Sequence, residues 1–414
     1  MQSIKEIYRI GRGPSSSHTM GPEKACKFMM GKDINCDSYR VTLYGSLAFT
    51  GKGHGTDRVI KETLDKPCEV LFNYDVKKLP HPNTLDIDAI KDGKVVNSIR
   101  ALSVGGGKIS IVGLDDDLVP DIYELNTLSD ISEYCIKYDM TLWQYVESVE
   151  GEELYTYMEE VWKTMKDTIH RGLKEEGILP GGLDVERKAK ILFKVTDEES
   201  EAERDNRLIS AYAYALAEEN AASNLMVTAP TCGASGVLPS VMYFYQEKYG
   251  YTDRDIIHAL YTGGLIGNII KENASISGAE CGCQAEIGTA CAMAAAALSE
   301  LLKRDFDQIE YAAEIALEHF LGLTCDPING LVQIPCIERN AVAAIRALHA
   351  VSLSKYLASN RKMRFDDVVL VMKNTGKDLH SNYRETAKGG LAKVKDVRKE
   401  LDKRIVRKSL INKH

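Results

Sequence analysis

Cys325 and Cys336 stand eleven residues apart in the segment Gly322 to Asn340, GLTCDPINGLVQIPCIERN, which also holds Pro327, Asn329, Gly330 and Pro335. Prolines and glycines at that density deny the segment a regular helix, which predicts a shaped loop turning both sulfurs towards one point. After Cys336 the chain runs IERNAVAA, the start of an apolar, alanine-rich helix. A cysteine at a helix start has its thiolate favoured by the free N–H groups and the dipole. Two inert, buried thiols are the plain alternative. Other sulfurs sit in further turns: Cys232 in APTCGASGVLP, and Cys281 and Cys283 in SGAECGCQAE. Two thiols at Cys-x-Cys spacing seldom both reach one ion, so one of that pair is the expected ligand. Cys232 either lines a site, binds metal or packs in a tight corner. Cys291, inside ACAMAAAA, is expected to be buried as a small hydrophobe. These spacings match neither C-x-x-C zinc ribbons nor ferredoxin runs. Three separate turns each giving one thiolate would leave one iron of a [4Fe–4S] cluster without a protein ligand. An open iron is a Lewis acid able to take a substrate hydroxyl.

Two further stretches carry polar chemistry. GPSSSHTMGP, residues 13–22, offers Ser15, Ser16, Ser17, His18 and Thr19 between glycines. Hydroxyls and free backbone N–H groups ahead of a helix make a carboxylate or phosphate cradle; a simple N-cap and turn needs only one of them. His18 could also hold or relay a proton. GSLAFTGKGHGTD, residues 45–57, fails as a Walker A loop because Ser46 and Gly53 stand where Gly and Ser or Thr are required. What remains is His54, flanked by Gly53 and Gly55 and beside Lys52 and Asp57. Glycines let a backbone approach a ligand closely, and a histidine changes charge near neutral pH, which makes His54 the preferred general base.

The elements that must position these groups fall into two parts. Strands are expected over Tyr39 to Tyr44, Cys68 to Asn73, Val95 to Leu102 and Lys108 to Val112, with a short helical pattern after Pro22. Helical spacing then runs from Glu152 to Glu176, stopped by Gly177 and Pro180-Gly181-Gly182. Alanine-rich helices follow over Leu208 to Ala222, Ile256 to Ile270, Ile287 to Leu302, Ile309 to Phe320 and Ala341 to Leu357. Small residues on several faces indicate close packing inside a bundle. The expected architecture is an α+β N-terminal domain, residues 1–150, a sandwich-like sheet with helices, joined to a mostly helical domain, residues 151–414.

At 414 residues, with 44% apolar and 27% charged residues, the composition is that of an ordinary globular protein. A net charge of −8 argues against nucleic-acid or membrane partners. No apolar run approaches the ~20 residues of a membrane span, and MQSIKEIYRIGRG lacks a signal-peptide core. A cytoplasmic location and reduced thiols are therefore expected, and six of the ten cysteines crowd into residues 232–336, which favours a soft-metal or iron–sulfur site. From Lys388 the tail carries ten Lys/Arg against three Asp/Glu, read as a solvated helix end.

Together these segments resemble the iron–sulfur-dependent L-serine dehydratases (L-serine ammonia-lyases). The resemblance rests on GPSSSHTMGP, LYGSLAFTGKGHGTD, LPGGL, APTCGASGVLP, GCQAEIG, GLTCDPINGLVQIPCIERN and YRETAKGGLA, in that order, and spans nearly all of the chain to Ala392. It implies an α/β domain and a helical catalytic domain fused in one chain, with no ACT regulatory domain, and a homo-oligomer, a dimer first. It further implies a [4Fe–4S] cluster on Cys283, Cys325 and Cys336, one iron lacking a protein ligand, and L-serine as substrate. On that expectation the Ser15-Ser16-Ser17-His18-Thr19 loop, with Lys52, holds the substrate and His54, ahead of His18, takes its α-proton. The segment from Asn374 to Ala392 is expected to close over the substrate. A cluster enzyme acting on cysteine or threonine, or a serine sensor with a structural cluster, are the competing readings.

Overall fold

The structure is a computed structural model that describes residues 1–75, 79–114, 120–195 and 198–394. The greater part of the basic tail, beyond Val394, lies outside the described residues.

A short strand, β1 (Ile10–Arg12), leads into α1 (Gly21–Met30), and β2 (Ser38–Tyr44) into α2 (Gly45–His54) and α3 (Thr56–Thr63). Then come β3 (Cys68–Asn73), β4 (Thr84–Lys91), β5 (Lys94–Gly105) and β6 (Lys108–Ile111). The five-stranded sheet has the order β3-β2-β4-β5-β6, with only β2 and β3 parallel. Along β4, Leu85, Ile87 and Ala89 are fully buried, while Asp86 and Asp88 face outward to Arg100 and Ser98 of β5. The period-two alternation therefore turns one sheet face to a core with Ala25, Cys26 and Met29 of α1, Leu47 of α2 and Ile60 of α3. β4 has no counterpart among the sequence-based expectations, because its aspartates dilute the β-branched signal.

The second core is helical. Its elements are α4 (Leu128–Tyr138), α5 (Leu142–Glu150), α6 (Glu153–Gly172), α7 (Ala189–Phe193), α8 (Glu201–Ala221), α9 (Val237–Tyr249) and α10 (Asp253–Asn273), with strand β7 (Leu225–Val227) between α8 and α9. They continue as α11 (Gly278–Cys281), α12 (Thr289–Leu301), α13 (Phe306–Glu318), α14 (Cys336–Leu357) and α15 (Phe365–Asp378). The expected fold class, α+β followed by mostly helical, is the one observed. Several helices begin earlier than the apolar pattern indicates. α8 starts at Glu201 and α10 at Asp253, each closed by a capping box, Ser200 with Glu203 and Thr252 with Asp255. Charged first turns hide those starts from a hydrophobic pattern.

Small residues set the packing. A Cβ on Gly264 of α10 would stand 2.7 Å from the Tyr8 ring, so the chain's first turns pack directly on this helix. Ile4, Ile7 and Tyr8 are fully buried in the helical core, Tyr8 donates to the Leu260 carbonyl (2.8 Å), and β1 pairs antiparallel with β7. The N-terminal residues thus belong to the helical core, whereas residues 25–111 build the sheet core. Among the described residues, no helix is long and apolar enough to cross a membrane.

Candidate active site

The polar groups singled out in the sequence meet at the seam between the two cores. Ser16–Met20 form a wide helical turn that runs into α1 at Gly21, and Ser103 of β5 pins it by donating to the Ser17 carbonyl (2.8 Å). His54 is not on a glycine-rich loop, as its neighbours suggest. It is the last residue of α2, which Gly55, at φ 68°, terminates in the left-handed conformation. The glycines serve close approach between the cores: a Cβ on Gly53 would lie 2.5 Å from the Asn329 carbonyl oxygen, and one on Gly330 2.8 Å from Thr50 Cβ.

His18 and His54 stack with ring centroids 4.2 Å apart, and both are buried. Their hydrogen bonds fix different tautomers. The Thr50 carbonyl lies 3.0 Å from His54 Nδ1 and can only accept, so Nδ1 carries the proton. Nε2 is then a lone pair, and it has no hydrogen-bond partner. For His18, the Ser46 hydroxyl donates to the Glu385 carbonyl (2.7 Å) and the Thr50 hydroxyl to the Ser46 carbonyl (3.0 Å). Both hydroxyls therefore accept from His18 Nε2, at 3.1 and 2.9 Å. His18 Nδ1 is left as acceptor towards the Ser15 and Ser17 hydroxyls at 3.2 and 3.0 Å. Burial lowers both imidazoles, His18 well below the usual value with the His54 charge adding to it, and His54 to about 4. Two neutral rings result, and only His54 offers a free nitrogen.

The remaining serine-loop residues divide. Ser16 is buried within the turn. The Thr19 hydroxyl donates to the Ser15 carbonyl (2.5 Å), with the Arg12 carbonyl at 3.2 Å, so it braces the turn from inside. Lys52 lies on the exposed side of α2 with its ammonium 5.3 Å from the Phe72 ring centroid. It lines a cleft of about 230 Å³ together with His54, Leu331 and Gln333. A second cleft, about 440 Å³, reaches the site from Ser46, His81, Arg384 and Lys388.

One group was not read from the sequence at all. Glu385, buried, places Oε1 3.4 Å from His18 Nδ1 and 3.9 Å from His54 Nε2. The segment bearing it pairs with the cysteine loop: Cys325 N–H donates to Tyr383 O (2.8 Å), and Glu385 N–H to Cys325 O (2.9 Å). Asp326 clamps it further, accepting from Leu391 N–H at 2.8 Å, where Gly390, φ 56°, leaves no room for a side chain. The segment expected to close over the substrate is thus split: residues up to Asp378 finish α15, and the remainder packs against Cys325. Burial, then the charges of Glu286 and Cys283, push the Glu385 carboxyl well above its ordinary value.

Cys283, Cys325 and Cys336 are all buried free thiols. The Cys283 and Cys325 sulfurs and a Glu286 carboxylate oxygen lie within 4.8 Å of one another. Cys325 sits on the irregular loop, whose only helical turn is Ile328–Gly330, and Cys336 opens α14. The helix start does not lower Cys336, because burial and the neighbouring Cys283 charge raise it. The hydrogen bond from Cys325 lowers Cys283 instead, against burial, with Arg339 assisting. Arg339 faces all three sulfurs while donating to the Thr324 carbonyl (2.8 Å). A Cβ on Gly278 would stand 2.8 Å from Glu286 Oε2 and 3.2 Å from Cys325 Sγ, so the space beside the sulfurs depends on a missing side chain. Two soft sulfurs beside a carboxylate, with the Cys336 thiol close enough to feel the Cys283 charge, fit a thiolate-bound metal centre. The other cysteines stand apart from this set: Cys281 packs against Gly376, Cys291 donates to the Ala343 carbonyl (3.3 Å), and the Cys232 sulfur meets Met20 Sδ at 3.5 Å.

Comparison with known proteins agrees with the arrangement in two blocks. Residues 121–392 match the family model of the serine dehydratase alpha chain, and residues 3–66 that of the beta chain. L-serine dehydratase 2 of Escherichia coli is 37% identical across 95% of this chain and 98% of its own length. L-serine dehydratase of Streptomyces coelicolor is 38% identical across 94% and 98%, and that of Helicobacter pylori 35% across 95% and 98%.

Proposed function

The chain belongs to the serine dehydratase family, and from that premise we propose that it is an L-serine ammonia-lyase, eliminating water from L-serine to give pyruvate and ammonia. Substrate is bound at the seam of the two cores. Its carboxylate is held by the Ser15-Ser16-Ser17 turn, with His18 fixed in place by Ser46 and Thr50. His54 Nε2 takes the α-proton: it is a buried, neutral ring nitrogen with an uncommitted lone pair, and this observation carries the reading. Glu385 Oε1 lies 3.9 Å from that nitrogen, on a carboxyl that burial drives towards its neutral form. Burial of both rings and the carboxylate keeps bulk water from the carbanionic carbon.

Cys283, Cys325 and Cys336 would hold a [4Fe–4S] cluster with one iron free of protein ligands; when bound, it supplies Lewis acidity towards the β-hydroxyl, otherwise a poor leaving group. Loss of that hydroxyl and the α-proton gives 2-aminoacrylate, which tautomerises and hydrolyses to pyruvate and ammonia without help. The assignment further takes the protein as a cytoplasmic homodimer.

His54→Gln tests the base. Purified anaerobically, the variant is expected to keep wild-type iron and sulfide while pyruvate formation from L-serine falls by about 10²–10⁴. Wild-type turnover in a variant with full iron would remove His54 from the mechanism.

A further inference from the structure

A cleft of about 600 Å³, lined in part by β1, lies between the first turn of α1 and the Gly105-Gly106-Gly107 turn that joins β5 to β6. Arg9, Arg12, Lys24 and Lys27 line it, with Glu23 and Glu160. Two of its charges are paired off: Lys27 with Glu23 (2.5 Å) and Arg9 with Glu6. Among the described residues, no carboxylate lies within ion-pair distance of Arg12, Lys24, Lys108 or Lys271. Yet these cations are crowded. Lys24 and Lys271 each feel both Arg9 and Lys108, with Glu6 the acid common to the two and Glu272 flanking Lys271. The Arg9 guanidinium is held at the glycine turn, donating to the Gly106 carbonyl (2.5 Å). A Cβ on Gly107 would stand 3.2 Å from Met20 Cβ and 3.4 Å from Arg9 Nη1, so the turn lies close against both side chains.

A surplus of unpaired cations is unexpected on a chain of net charge −8. Lys271 is half-buried, with only the Gln2 side-chain oxygen at 2.9 Å on its ammonium. Burial, aided by Arg9 and Lys108, lowers it to about 8. Like charges gathered at one cleft repel unless an anion sits among them.

We propose that this cleft binds a phosphate group, free or as the monoester of a small molecule, between Arg9, Arg12 and Lys24, with the Lys108 charge beside them. The site is separate from the serine-binding turn but adjoins it: Met20, the last residue of that turn, also lines the cleft. It also meets both cores, since Lys24 of α1 belongs to the sheet unit and Tyr157 and Glu160, which line the opposite wall, to α6 of the helical one. Bound phosphate therefore ties the cores together.

The test uses the full chain, purified anaerobically with its metal centre. Inorganic phosphate and glycerol 2-phosphate are each titrated against sodium chloride at matched ionic strength, reading the melting temperature and, by equilibrium dialysis, the phosphate bound per chain. The expected result is a saturable rise with one phosphate per chain, absent in chloride; whichever probe saturates first identifies the free ion or the ester. Lys24→Gln/Lys108→Gln, whose unchanged turnover of L-serine reports that it is folded, is expected to bind at least tenfold more weakly. An equal rise in chloride, no saturable binding, or undiminished binding in the double variant would overturn the proposal.

Discussion

Gly330→Ala is expected to damage catalysis through the backbone that carries both histidines. At this position φ is +69°, and an added Cβ would stand 2.8 Å from Thr50 Cβ and 3.1 Å from its Cγ2. Comfortable contact begins near 3.4 Å, so the two chains must part by 3.4 − 2.8, about 0.6 Å. Thr50 is poorly placed to give way. Its carbonyl holds His54 Nδ1 at 3.0 Å and its hydroxyl accepts from His18 Nε2 at 2.9 Å. A misplacement of about 1 Å at a reacting group costs on the order of 10²-fold in rate, which puts the loss here at about tenfold or more. The same change also forces alanine into the left-handed region, at about 1–2 kcal/mol. With an unfolding entropy of roughly 0.9 kcal/mol/K for a chain of this length, that strain lowers the melting temperature by about 1–2 °C. Gly322→Ala isolates the second effect, because Gly322 has φ +80° and nothing within 4 Å of its Cβ position. Gly330→Ala should lose at least as much stability as Gly322→Ala, since it adds the clash to the shared backbone strain, and only Gly330→Ala should lose turnover per bound iron, measured as pyruvate formed anaerobically. Equal turnover in the two would refute the argument that the close approach of the Ile328–Gly330 turn positions the histidines.

Replacing Cys283, Cys325 or Cys336 singly by alanine should abolish iron binding and colour, whereas Cys281→Ala should retain both; iron and sulfide analysis separates them. Glu300, whose carboxylate accepts from Thr262 at 2.9 Å, is raised by burial from 4.5 to about 7. Its neutral form suits the fold, so stability is full below about pH 4.5 and is lost as pH rises towards 7. Glu300→Gln should match wild type at pH 4.5 and exceed it at pH 8 by about 3 kcal/mol; a gap between their unfolding curves that does not grow with pH would exclude this. Light scattering on the purified protein should give twice the chain mass of 45.9 kDa, and the monomer mass would count against the dimer.

Much of the arrangement was legible from residue types alone. The proline-punctuated cysteine loop, the serine-rich turn and the two-part architecture follow from local chemistry, and that chemistry survives folding. His54 was legible as a residue but not as a helix terminus. Its flanking glycines signal a loop, while Gly55 ends the helix and Gly53 allows close contact with Asn329 across the seam, a tertiary requirement with no local signature. Glu385 was out of reach for a different reason. It is a single acid in a basic, irregular stretch, YRETAKGGLA, and it becomes significant only because residues 383–385 pair with Cys325 about sixty positions earlier. The expectation that a helix start lowers Cys336 met a stronger effect, since complete burial outweighs the dipole of the first turn.

The strap formed by residues 383–391 also constrains the order in which the molecule can become active. The Ser46 hydroxyl bonds the Glu385 carbonyl across 339 residues of chain, a contact whose closure entropy is recovered only after the intervening elements have condensed. Sheet and bundle can each fold on shorter-range contacts, but base and sulfurs share one enclosure only once that distant segment has docked. Until then the thiols of the cysteine loop are covered on one side less. Docking of that strap is therefore the step that closes the cysteine loop, and the enclosure of histidines and sulfurs is complete only after it.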